Sequence, residues 1–297
     1  MIKWFLFVVC LSLFSGCQSA GKKSVNSSSQ TSQRPIVCQL SDSSKIQLVL
    51  AQYADSAKLP TAELVAETGK QFLGIPYVAH TLEHGVTEPL TVEVDGLDCT
   101  TFVETALALA RTIKSGEPEF DQFANQLETI RYRDGKRDGY PSRLHYFSDW
   151  IFNNQQNGLV SQPAAEFGKP LDIEVNFMST HPNSYEVLKD NPELVKTISD
   201  QEQAISARDY FYLPKSEFVS NEKHLKTGDI IGIVTSINGL DVAHTGILLE
   251  VGGRIHLMHA STLSNQVVIS EQPFAEMLES KKSYLGILIA RAFDSIR

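Results

Sequence analysis

The stretch "AHTGILLEVGGRIHLMHAS", residues 243–261, decides the fold. Two β-rich runs flank Gly252 and Gly253, a pair able to take the positive φ angles of a two-residue hairpin turn. Strand alternation sends Ile255, Leu257 and His259 to one side of the second run, and His256 and Met258 to the other. Runs of the same texture lie before and after it, "GDIIGIVTS" (228–236) and "SYLGILIARA" (283–292), separated by "INGLD" and a longer polar stretch. The last quarter of the chain therefore predicts an antiparallel sheet closed by turns.

Upstream the texture is helical. "SSKIQLVLAQYADSAK" (43–58) and "PTAELVAETGKQFLG" (60–74) show helical spacing, the second with Pro60 and Thr61 at its start and Gly74 after its end. Residues 75–97 are irregular. From about Cys99 to Lys114 a helix is predicted, because Phe102, Val103, Ala106, Ala110 and Ile113 fall on one face. Further helices are predicted over 119–130, over "YPSRLHYFSDWIFNNQQNG" (140–158) and over "NPELVKTISDQEQAISA" (191–207). Helices first and strands last imply α+β packing, not a βαβ repeat.

The N-terminus speaks to destination. "MIKWFLFVVCLSLFSGC" (1–17) has a lysine, a short apolar run and small residues before Cys17, the parts of a secretory signal over 1–16. A cysteine directly after "FSG" resembles the bacterial lipoprotein signal and makes Cys17 the expected lipidation site. An ordinary cleaved signal and an uncleaved anchor helix are the alternatives, and all three export the chain. Residues 17–35 are rich in Ser, Gln and Lys without apolar periodicity, and read as a flexible tether. The expected body is a single domain over 36–297, with an insertion around 135–225.

Composition is that of a globular protein, 42% hydrophobic with a formal net charge of -9. No basic stripe is present, which argues against nucleic acid as a partner. No CxxC pair or HExxH helix appears, so neither a metal nor a cofactor is expected. Of the four cysteines only Cys38 and Cys99 fall in the body, and in an exported chain a disulfide between them is the structural alternative for Cys99.

The functional alternative for Cys99 is a nucleophile. In "GLDCTTFVETALALA" (96–110) it sits at the start of a helix, where unpaired amides and the helix dipole favour a thiolate. Either Asp98 caps that helix, or Thr101 does so in a capping box with Glu104. His244 opens an apolar strand and is the candidate base. His259 is favoured over His256 as the group orienting the His244 ring, completing a Cys-His-His triad. Arg143, His145 and Tyr146 are candidates for holding substrate, with the alternative that they cover the core. Asp241, just before the base strand, is a weaker candidate for the same role, with the alternative that it only shapes a turn.

"DCTTFVE", "HTGILLE" and "HAS", preceded by "GIPYVAHT", resemble the NlpC-type papain-like cell-wall hydrolases. That family carries D-C-S-G-F at the nucleophile, H-x-G-I/V at the base, a polar third residue and an upstream G-x-x-Y motif, which Gly74 and Tyr77 match. The resemblance implies a papain-like α+β fold and places Tyr77 beside the oxyanion site. Thr100 and Thr101 replace the usual Ser-Gly, and His80 and Thr81 replace paired glycines. These departures, with "DGLDCTTFVET" and "YPSRLHYFSDWI", resemble a branch of N-acetylmuramoyl-L-alanine amidases that prefer 1,6-anhydro-muropeptides. The resemblance therefore implies peptidoglycan fragments as substrate and a periplasmic lipoprotein of a Gram-negative bacterium, anchored to a membrane. Two other functions share these residues: a D-glutamyl endopeptidase on stem peptides, and a lipoprotein that binds peptidoglycan without cleaving it.

Overall fold

The Gly252–Gly253 turn forms as its sequence requires, with φ of 59° and 80°, and joins β7 (Val242–Val251) to β8 (Arg254–Ser261). The structure, a computed structural model, describes residues 35–83 and 87–294; the signal and Cys17 lie outside them. Around the hairpin lie β6 (Ile230–Thr235), β9 (Gln266–Ile269) and β10 (Tyr284–Ala292), with β4 (Lys169–Leu171) and β5 (Tyr210–Pro214) continuing one side. The strand order is β4-β5-β10-β6-β7-β8-β9, antiparallel throughout, with β3 (Val160–Ser161) paired to β10. All four predicted runs are strands. β9 and the β4–β5 extension carry too little alternation to stand out in the sequence. A separate parallel pair joins β1 (Ile36–Cys38) to β2 (Leu90–Val92).

Both faces of the sheet are covered, and strand alternation sorts its residues between them. On β8, Met258 and Ala260 enter the core shared with the helices of the first half, while Ile255 and Leu257 enter a second cluster. The first core is built by α1 (Leu40–Gln52), α2 (Thr61–Lys70), α3 (Cys99–Ser115), α4 (Phe120–Arg131) and α5 (Phe147–Gln156). The second is closed by Phe218 of α9 (Phe218–Asn221), and by Phe274 and Leu278 of α10 (Phe274–Glu279). Residues between α5 and α9 form short elements, α6 (Ala164–Phe167) and α7 (Phe177–Thr180), and the longer α8 (Pro192–Ser206), capped by the Asn191 side chain.

α3 is the central helix. Every residue from Thr101 to Ile113 is buried, far more than the one face its apolar spacing calls for. Two of those residues are charged. Glu104 is matched by Arg131 of α4 at 2.7 Å, both side chains 2% exposed, and Arg131 also donates to the Thr91 carbonyl. Breaking such a buried pair by removing one partner costs about 3–5 kcal/mol.

The helix predicted over 140–158 begins only at Phe147. Pro141 starts a short 3-10 turn over Tyr140–Ser142, and Arg143 is extended, with φ -65° and ψ 137°. The next residue is held there by the bond from the Leu144 amide to the Arg131 carbonyl. Arg143, His145 and Tyr146 thus lie on an extended approach to α5, not on the helix. α5 then presses its first ring into the sheet. A Cβ at Gly232 would lie 2.3 Å from the Phe147 ring, so only glycine lets α5 come this close.

Candidate active site

Cys99 is the first residue of α3, and what precedes it fixes its place. Asp98 is the N-cap: its Oδ1 accepts from the Thr100 and Thr101 amides at 3.0 and 2.7 Å. The Thr101 hydroxyl accepts from the Asp98 amide at 3.0 Å, so the capping box is Asp98–Thr101. The Thr101–Glu104 alternative falls, because Glu104 is committed to Arg131. Among the described residues the Cys99 amide has no partner, whereas its carbonyl accepts from the Thr245 hydroxyl at 2.8 Å. That bond ties β7 to the first turn of α3.

Cys38 and Cys99 are both free thiols, which removes the disulfide reading. The expected depression of the Cys99 pKa is also overturned. Burial pushes the thiol up and the adjoining Asp98 carboxylate pushes it further, against weaker opposing bonds from Thr245 and Thr100. The physical reason is the cap itself. Asp98 takes the very amides that would have favoured a thiolate and places a negative charge beside the sulfur.

His244 enters through a bulge. β7 pairs with β6 as Ile233↔His244 and then Val234↔Val242, leaving Ala243 unmatched, and a bulge of this kind re-aims the side chain beside it. Cys99, His244 and Thr245 line one cavity of about 210 Å³. No hydrogen bond joins the thiol to His244 among the described residues. The His244 Nε2 lies 2.6 Å from Nδ1 of His259, the rings meeting edge to face with centroids 4.8 Å apart. One nitrogen of that contact carries the hydrogen and the other receives it, which leaves Nδ1 of His244 as its unshared nitrogen. Burial pushes His244 down to about 3, helped by His259 and Lys281, and burial pushes His259 down to about 4. The pair is neutral. His256 is engaged elsewhere, its Nδ1 2.8 Å from the Ser270 carbonyl.

Tyr77 stands on a segment laced between β9 and the run into Cys99. Its amide donates to the Asn265 carbonyl, and the next residue, Val78, donates to Leu97, two residues before the Asp98 cap. Burial raises the phenol pKa, and Cys99 and Asp98 raise it further, so its proton is retained within the field of the thiol.

The three substrate candidates separate. His145 and Tyr146 line the cavity; Arg143 is not among its lining residues. The Arg143 guanidinium is spent on Glu83 at 2.9 Å and Glu88 at 3.3 Å, which ties the loop before β2 to the approach to α5. The Tyr146 hydroxyl donates to Glu202 of α8 at 2.7 Å and accepts from the Met178 amide at 3.1 Å. Asp241 caps α5 from outside, its Oδ2 accepting from the Ser148 amide and its Oδ1 from the Val242 amide, each at 2.7 Å. Sequence reasoning missed Met178 and Tyr185, which the insertion brings to the far wall, and Trp150 and Leu240. No local pattern marks the first two. Among the described residues no group of three or more His, Cys, Asp or Glu side chains is arranged to hold a metal ion.

The family model for N-acetylmuramoyl-L-alanine amidase-like proteins matches residues 67–287. Among solved structures, an N-acetylmuramoyl-L-alanine amidase from Bacteroides uniformis is similar, 39% identical over 78% of this chain and 99% of its own, with a TM-score of 0.76. A Bacteroides fragilis protein provisionally named a xylanase is 42% identical over 76% of this chain and 99% of its own, with a TM-score of 0.73. A Legionella pneumophila protein shares the fold at 22% identity and a TM-score of 0.63, over 85% of this chain and 94% of its own. Among curated proteins no sequence matches this chain. With the match running from the end of α2 into β10 and taking in every residue that lines the cavity, the chain belongs to the N-acetylmuramoyl-L-alanine amidase-like family.

Proposed function

We propose that the protein is a cysteine-nucleophile amidase that cleaves the amide between N-acetylmuramic acid and L-alanine in muropeptides, with a preference for 1,6-anhydro ends. The observation carrying this reading is Cys99 at the first position of α3, in one cavity with a neutral His244 whose ring is held by His259.

Reaction starts from a neutral thiol and a neutral imidazole. Nδ1 of His244 takes the Cys99 proton as the sulfur attacks the lactyl carbonyl, so charge separates only when substrate is present. The oxyanion is held by the unpartnered Cys99 amide and the Tyr77 hydroxyl. His244 returns the proton to the L-alanine nitrogen, the C–N bond breaks, and the lactyl group stays on sulfur as a thioester. Water, deprotonated by His244, then adds to the thioester and releases the lactyl carboxylate and the thiol. His259 is a positioning residue that holds the His244 ring and its tautomer.

The same reading makes the fold papain-like, in the NlpC manner, with Cys17 lipidated and residues 17–35 tethering the domain to a membrane on the periplasmic side. No helix among the described residues is long and apolar enough to cross a membrane.

The test is digestion of anhydro-MurNAc tetrapeptide, followed by mass spectrometry. The native protein is expected to release the intact tetrapeptide beginning with L-Ala. Cys99→Ser and His244→Ala are expected to lose about 10²–10⁴ in rate. Fragments cut within the peptide would mean an endopeptidase, and an unchanged substrate would mean a binding protein.

A further inference from the structure

α1 carries a charge-free face where a surface helix ordinarily puts its charges. Asp42 and Lys45 are its charged residues, and both are spent. Asp42 is buried, accepting from the Val94 amide at 2.9 Å and the Gln39 amide at 3.3 Å, and Lys45 is paired with Asp95. Ile46, Val49 and Leu50 face the core, which leaves Leu40, Ser44, Leu48 and Ala51 on the outward line at helical spacing. Leu40 is 83% exposed and Leu48 70%. The hydroxyls beside them are already satisfied, since Ser43 and Ser44 both donate to the Leu40 carbonyl. Ile36 and Val37 of β1, just before the helix, stand out as well. Little polar desolvation therefore opposes covering this face with something apolar.

The chain leading back to Cys17 meets the body beside this face. The Pro35 carbonyl accepts from Arg137 Nη1 at 2.7 Å and from the Leu90 amide at 3.2 Å, and β1 then pairs with β2. The body is thus gripped one residue ahead of Ile36. Even fully extended, the residues from Cys17 to Pro35 span at most about 65 Å. A body so leashed meets the bilayer at an effective concentration that populates contacts too weak to form from free solution.

Resting on the lipid-anchor reading of Cys17, we infer that this face is a membrane-docking surface: α1 lies along the bilayer with Leu40 and Leu48 entering the boundary between headgroups and acyl chains. Ile36 and Val37 extend the contact toward the anchored end. The partner is the apolar part of the lipid and not its charge, because the face offers no free cation and the chain is acidic, with a net charge of -9. Docking holds the body in one orientation to the membrane.

The test places the mature lipidated protein in phosphatidylcholine vesicles with brominated acyl chains and reads tryptophan fluorescence. Trp150 is buried and is the sole tryptophan left once residues 1–16 are removed. Leu48→Trp is expected to add emission that bromolipid quenches. Val219→Trp, at an exposed position on α9 over the other face of the sheet, should add emission that it does not quench. In the Leu48→Trp background, Leu40→Asp should lower the docked-to-free ratio about tenfold. Phosphatidylglycerol in the vesicles should not raise that ratio; a rise would mean that charge holds the face, against the inference. Melting midpoints equal to the parent's show that the variants fold. Quenching no greater for Leu48→Trp than for Val219→Trp in vesicles that retain the protein, or a ratio that Leu40→Asp leaves unchanged, overturns the inference. So does a Leu48→Trp protein shielded from aqueous acrylamide yet untouched by bromolipid, which would mean a second copy on this face. A mature chain that carries no lipid on Cys17 by mass spectrometry and is not retained by vesicles overturns the anchor reading and the inference together.

Discussion

At the residue scale the cysteine is less activated at rest than its place on a helix suggests. Reading Cys99 as a nucleophile needs only the helix start and the two histidines downstream, all legible in the chain. Its electrostatics were not legible, because they turn on whether Asp98 or Thr101 caps the helix, and two candidates stand within three residues. With Asp98 on the cap, the thiol rises above its ordinary value while burial takes His244 to about 3. In the proposed reaction, nucleophile and base then stay neutral together over a broad pH range. Alkylation of Cys99 by iodoacetamide in the free protein should therefore rise with pH through and beyond 9, with no plateau near neutrality. The kcat/KM profile for muropeptide should lack an acid limb near 6.5, the ordinary histidine value, and lose activity only well below it. An acid limb at 6.5 would show that His244 is solvated, and the neutral starting pair would be wrong.

At the scale of elements, the parts found correctly are those whose signal is local. β6, β7, β8 and β10 are β-rich runs bounded by turns, and α3 shows its apolar face in plain spacing. The parts missed depend on distant partners. Pro141 and Gly158 frame a plausible helix over 140–158, yet its first half is pulled straight by the Leu144–Arg131 backbone bond, and α5 finds its cap in Asp241, far along the chain. Tyr185 and Met178 reach the cavity only through the folded insertion. The α3 cap joins the element to the chemistry, and Asp98→Asn separates its two roles. An amide oxygen still accepts from Thr100 and Thr101, so the helix should lose no more than about 1 kcal/mol. The charge beside the sulfur is gone, so the alkylation curve of Cys99 should move to lower pH. A curve that stays in place would leave burial alone as the cause of the raised thiol pKa.

At the scale of the whole molecule, the site imposes a pH dependence on stability. His145, His244 and His259 are held neutral in the folded chain, at about 3, 3 and 4, whereas in the unfolded chain each titrates near 6.5. A folded pKa below the unfolded one means that the unfolded chain binds more protons as pH falls. Stability is therefore complete above 6.5 and drains away as pH drops toward the folded values. One unit below 6.5 each histidine costs about 1.4 kcal/mol, so the three together cost about 4 kcal/mol at pH 5.5 relative to pH 7.5. Glu88, Glu104 and Asp241, whose pKa values burial raises, act in the opposite direction and return part of this loss. Urea unfolding at the two pH values measures the difference, and His145→Asn should remove about a third of the histidine contribution, since asparagine does not titrate. A pH dependence that His145→Asn leaves unaltered would mean that the folded protein protonates this ring as readily as the unfolded chain does. The neutral His244 from which the proposed reaction starts would then fall as well, because its neutrality rests on burial of the same kind.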